Sequence, residues 1–133
     1  ESKTCKEVIK RIIFKSATRD EVPSLLGISD VMLSFRKDSF SQKACCPTKI
    51  GEAFACGVPV IANKDVGDVD NIIRQLNGGE LINLENLEDL DNLIKNIHLI
   101  KNKGGYELRQ RSRNLLSLEA GVNLYKEVYR KIQ

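Results

Sequence analysis

Four short apolar runs, at residues 11–15, 30–35, 57–62 and 80–83, are separated by segments of helical period, and none alternates apolar with polar residues. A strand that is apolar at consecutive positions is buried on both faces, the condition of a parallel sheet covered by helices on each side. The pattern predicts one α/β domain over residues 1–133, a Rossmann-like doubly wound parallel sheet with a helical C-terminus. Cys5, Val8 and Ile9 predict an opening helix, and residues 20–27 a second one with Val22, Leu25 and Leu26 inward. Pro47 is expected at the first position of a third helix, which Gly57 ends. Residues 36–46 have no period and predict a long polar loop. Further helices are expected over residues 69–76, 87–100 and 106–116, with Ser117 capping a last one. That last helix carries Leu118, Val122, Tyr125, Val128 and Ile132 on one stripe, the spacing of an element that needs a partner surface.

Composition agrees with a folded domain: 133 residues, 41% hydrophobic and 29% charged, with few Gly and Pro, exclude a low-complexity or disordered chain. The most apolar stretch, residues 53–62, is broken by Gly57 and Pro59 and is far short of a bilayer span. The first residues have neither the charge nor the apolar segment of a signal peptide, so a reducing cytoplasmic setting is expected. A net charge of +3 and the absence of Trp do not point to a nucleic-acid partner. Cys5, Cys45, Cys46 and Cys56 form no metal-ligand spacing, and His98 is remote from them, so no metal site is expected and the cysteines read as structural.

Open parallel sheets bind ligands beyond the carboxyl ends of their strands. The cations Lys15, Arg19, Arg36, Lys37, Lys43, Lys49 and Lys64 all fall in the loops there or in the first turn after Pro47. Loops collect charge in any protein, so the spacing leaves two readings open: a solvated rim, or a pocket for an anion resting on the amides at the start of the Pro47 helix. Glu52 follows Lys49 by one helical turn and is either a solvated ion-pair partner or a carboxylate placed to accept hydrogen bonds from vicinal hydroxyls. No grouping of Ser, His and Asp, no P-loop and no GxGxxG is present. No residue reads as a catalytic base. The acids Glu85, Glu88, Asp89 and Asp91 and the run Arg109, Arg111, Arg113 read as solvated helix faces.

The segment Pro47-Thr48-Lys49-Ile50-Gly51-Glu52-Ala53-Phe54-Ala55-Cys56-Gly57-Val58-Pro59-Val60-Ile61-Ala62-Asn63 resembles the donor-binding segment of the family 4 (group 1) glycosyltransferases of the GT-B fold. Upstream, Val22-Pro23-Ser24-Leu25-Leu26 and Ser29-Asp30-Val31 fit the same family, as do Val66-Gly67-Asp68, Gly79-Glu80 and the region of Tyr125 and Tyr129 downstream. The resemblance implies the C-terminal, nucleotide-sugar-binding part of a retaining glycosyltransferase that moves a hexose from a UDP- or GDP-sugar to a glycan or lipid-linked acceptor. It implies that Glu52 holds the ribose hydroxyls, with Lys49 beside the diphosphate and Ser16, Ala17 and Thr18 beside the base. Lys43, Ala44, Pro47 and Thr48 match the vicinity of the donor phosphates and sugar. No cofactor or metal is implied.

Ala44 stands eight residues before Glu52, where the family carries a second glutamate that contacts the donor sugar. The stretch Ser41-Gln42-Lys43-Ala44-Cys45-Cys46-Pro47-Thr48-Lys49 resembles a branch with a Pro-Thr-Lys pattern, often tied to surface-polysaccharide assembly. Against the family's length, an N-terminal acceptor domain and two further strands are expected outside this chain, with the full enzyme cytoplasmic or membrane-peripheral. Residues 117–133 are then the helix that crosses between the domains. Without its partner that helix is expected to promote weak self-association. A non-catalytic nucleotide or nucleotide-sugar binding module is the alternative; an epimerase would need acids and a histidine in these loops, and a receiver an Asp at a strand's carboxyl end.

Overall fold

The computed structural model describes residues 7–37 and 39–132. Strands β1 (Met32–Ser34), β2 (Val60–Asn63) and β3 (Gly79–Ile82) form a parallel sheet in that order. Met32 lies opposite Val60, and Val60 opposite Gly79. Beyond the helical turn at residues 7–9, the helices among the described residues are α1 Val22–Gly27, α2 Thr48–Ala55, α3 Val69–Leu76, α4 Leu87–Lys101, α5 Tyr106–Leu116 and α6 Leu118–Ile132. Parallel neighbours need a crossover, supplied by α2 between β1 and β2 and by α3 between β2 and β3.

Side chains alternate across β2 and so feed two cores. Val60 and Ala62 pack with Phe54 of α2, Ile73 of α3 and Leu108 of α5. Ile61 turns the other way, onto Ile82 of β3 and Ile100 of α4. Every residue of β2 is buried, as a sheet covered on both faces requires. The fold is thus α/β and Rossmann-like, with a helical C-terminus.

Local chemistry sets the helix ends. The Asn86 side chain accepts the Glu88 amide at 2.9 Å at the start of α4, and Ser117 Oγ accepts the Ala120 amide at 3.1 Å at the start of α6. Asn77 adopts the left-handed conformation that stops α3. At the other end of the sheet from the ligand loops, Gly57 turns with φ +77° after α2, and its carbonyl accepts the Gly105 amide at 2.7 Å. A Cβ at Gly57 would stand 2.7 Å from the Gly105 oxygen, so two backbones meet where a side chain has no room.

Several expectations need correction. Residues 11–15 form no strand: Arg11 and Ile12 donate to the carbonyls of Val8 and Ile9, which extends the helical turn at residues 7–9. A strand needs a second backbone to bond with, and among the described residues none pairs with 12–18; Ile13 and Phe14 are 88% and 90% exposed. The start of the opening helix and Cys5 lie outside the described residues. The loop over 36–46 contains a 3-10 turn, Phe40–Ala44. Pro47 caps α2 from an extended conformation and is not its first helical residue. β2 spans Val60–Asn63, which shifts the strand toward the C-terminal side of the apolar run 57–62. Cys45 and Cys56 are half-buried, Cys46 is exposed, and all three are free thiols.

Candidate functional site

At the carboxyl end of β2 the buried Asn63 side chain joins two ligand-side loops. Its Oδ1 accepts the amide of Arg36 at 2.8 Å, and its Nδ2 donates to the Lys64 carbonyl at 3.3 Å. The loop behind β2 is held as tightly. Lys64 donates its amide to Ile82 at 3.1 Å, Asp65 turns through φ +65°, and its amide reaches the Asp70 carboxylate at 3.1 Å. Gly67, at φ +46°, backs onto Cys45 so closely that a Cβ would overlap the Cys45 carbonyl oxygen. Arg36, Lys37, Lys43 and Lys64 line one cleft of about 460 Å³ together with Asp65 and Glu85.

A second, larger groove of about 880 Å³ runs between α2 and α5. Thr48, Gly51, Glu52 and Ala55 recur at helical spacing along the flank of α2 that lines it, while Ile50, Ala53 and Phe54 are buried in the core. Buried Ser112 fastens α5 to α2, its Oγ donating to the Phe54 carbonyl at 3.1 Å. Pro47, Thr48 and Glu52 therefore face Tyr106, Arg109 and Arg113. No side chain caps the first turn of α2, whose amides carry the partial positive charge of a helix start. Nearby, partial desolvation at the groove, with Asp68 and Cys45 adding to it, pushes the Cys46 thiol up, which keeps it protonated and a poor nucleophile.

The residues singled out in the sequence thus divide. Pro47, Thr48 and Glu52 share the α2/α5 groove, whereas Lys43 lies in the strand-end cleft. Lys49 is exposed on α2 and Ala44 exposed at the end of the 3-10 turn; neither lines either cavity. The Lys49–Glu52 ion pair is absent from the ion pairs among the described residues. Ser16, Ala17 and Thr18 are exposed ahead of α1 and line neither cavity. The amide and hydroxyl of Thr18 donate to Glu21 at 2.9 and 3.1 Å, and those bonds hold the Glu21 carboxyl below the usual carboxylate range. Lys15 also leans toward Glu21, at 3.9 Å.

Arg109 and Arg113 are exposed, as a solvated face requires, and line the groove across from Glu52. Arg111, between them, points away and donates to the Leu76 carbonyl at 2.9 Å. Helical spacing separates these roles, since residues 109 and 113 share a face that 111 does not, but it does not say which face docks onto α2. Asn63 as the tie between loops was equally unmarked, since an Asn at a strand end reads as an ordinary turn residue.

No curated protein and no solved structure matches this chain. Residues 4–114 match the family described as Glycosyl transferases group 1. That span takes in all three strands and the named residues of both cavities, and the chain belongs to the group 1 glycosyl transferases, which move a sugar from an activated donor to an acceptor.

Proposed function

We propose that this chain is the donor-binding, C-terminal part of a retaining family 4 glycosyltransferase of the GT-B fold. It binds a UDP- or GDP-activated hexose, destined for a glycan or lipid-linked acceptor in polysaccharide assembly, with the acceptor domain outside this chain. The reaction uses no metal or other cofactor and takes place in the cytoplasm or at its membrane surface. No described helix is long and apolar enough to cross a membrane.

The observation that carries this reading is the position of Glu52: an exposed carboxylate without an ion pair among the described residues, in a groove that opens beside the uncapped start of α2. A carboxylate accepts two hydrogen bonds from vicinal ribose hydroxyls, and the helix start favours the negative charge of the attached diphosphate. Lys49, in the first turn, adds a cation as that charge grows on the leaving group. Pro47 and Thr48 border the phosphates, Ala44 approaches the sugar, and Ser16, Ala17 and Thr18 lie toward the base. Glu52→Ala is expected to weaken UDP or GDP binding by about 1.5 to 3 kcal/mol, roughly ten- to hundred-fold. Calorimetric titration of both nucleotides checks it, and equal affinities in the two proteins would remove Glu52 from the site.

A further inference from the structure

We propose that the strand-end cleft is a second anion site, which holds a phosphate or diphosphate group of a ligand other than the donor nucleotide. Its cations arrive from separate stretches of chain: Arg36 and Lys37 behind β1, Lys43 in the 3-10 turn, Lys64 behind β2. Among the described residues Arg36, Lys37 and Lys43 enter no ion pair, and Lys64 approaches Asp89 only at 3.8 Å. Like charges gathered in one cavity repel each other until an anion lies between them.

The backbone beneath these cations is fastened across elements. The Arg36 amide is held by Asn63, the Lys64 amide by Ile82, and the Asn83 amide by the Asp89 carboxylate at 3.0 Å. Gly67 seats its loop against Cys45, two residues beyond Lys43. A ligand therefore meets loops that are already ordered, which lowers the entropy cost of binding. Asp65 and Glu85, which also line the cleft, offset part of the positive charge, so the cleft suits a compact anion better than a long polyanion.

None of the lining residues is aromatic, so the cleft offers a base no stacking surface. Glu52 lines the other cavity. The separation of this site from the donor rests on the role proposed for Glu52, and the experiment keeps the two apart.

The isotope-labelled 133-residue chain is titrated with inorganic pyrophosphate, alone and with saturating UDP, while amide shifts are followed by NMR. Pyrophosphate is expected to move the amides of Arg36, Asn63 and Lys64 in both titrations. Combined Arg36→Ala and Lys64→Ala should weaken it about tenfold or more, the scale of charge-assisted hydrogen bonds. Arg36→Lys should retain most of the affinity, and Lys126→Ala on α6, which alters net charge alone, should retain all of it. Both parent side chains are exposed, and the Arg36 bond to Asn63 is made by its backbone, so these variants keep the fold. Pyrophosphate affinity unchanged in the double variant, or displacement by UDP, overturns the second site. Failure of the donor reading shows separately, as UDP binding that is absent or indifferent to Glu52→Ala.

Discussion

Gly67 and Asn63 have no charge, yet they place the charges around them. Gly67 sits at φ +46° against the Cys45 carbonyl, and Asn63 holds the backbone of Arg36. Gly67→Ala combines a left-handed conformation that alanine resists with a Cβ for which there is no space. It is expected to cost about 1 to 3 kcal/mol, seen as a lower urea midpoint with an unchanged slope. Gly27 in α1 has open space around it, and Gly27→Ala should be neutral or raise the midpoint slightly. A Gly67→Ala midpoint equal to wild type would mean that the two loops are not packed together. The placement of Glu52 one helical turn after Lys49 was legible, because neighbours along one helix turn need no tertiary information to be placed. Arg109 and Arg113 were not, since their facing Glu52 depends on α5 docking onto α2.

Among the elements, α3, α5 and α6 follow bounds that capping residues and helical period announce: Asn77 ends α3, and Ser117 caps α6. The α6 stripe is the exception in packing. Among its residues none is buried; Leu118 is 85% exposed and Ile132 76%. Burial of each such side chain is worth about 1.5 to 3 kcal/mol, a driving force that the contact of α6 with α5 leaves unused. A concentration-dependent rise in sedimentation coefficient is expected, with amide exchange in the last turns faster than in β2. A monomer at all concentrations with α6 as protected as the sheet would show that the stripe is already covered. Helical period identifies which residues share a face, but carries no information about what covers it.

For the molecule as a whole, the proposed division of labour leaves the acceptor domain outside this chain, so the 133 residues alone are expected to transfer no labelled sugar from UDP- or GDP-hexose while still binding nucleotide. Loss of groups that stabilise the leaving diphosphate costs on the order of a hundredfold each, and transfer by this chain at an ordinary enzymatic rate would refute that division. The sequence by itself determined the α/β class, the parallel sheet and the run from Pro47 to Asn63, because burial on both strand faces and local capping are written in neighbouring residues. Tertiary structure decided which apolar runs found a strand to pair with, and left 11–15 unpaired among the described residues. It also placed the strand-end cations and Glu52 in two cavities, since Lys43 with Arg36 and Lys64, and Glu52 with Arg109 and Arg113, are brought together by contacts between residues far apart along the chain. Periodicity cannot encode such contacts; they depend on how α2, α5 and the strand-end loops pack on one sheet.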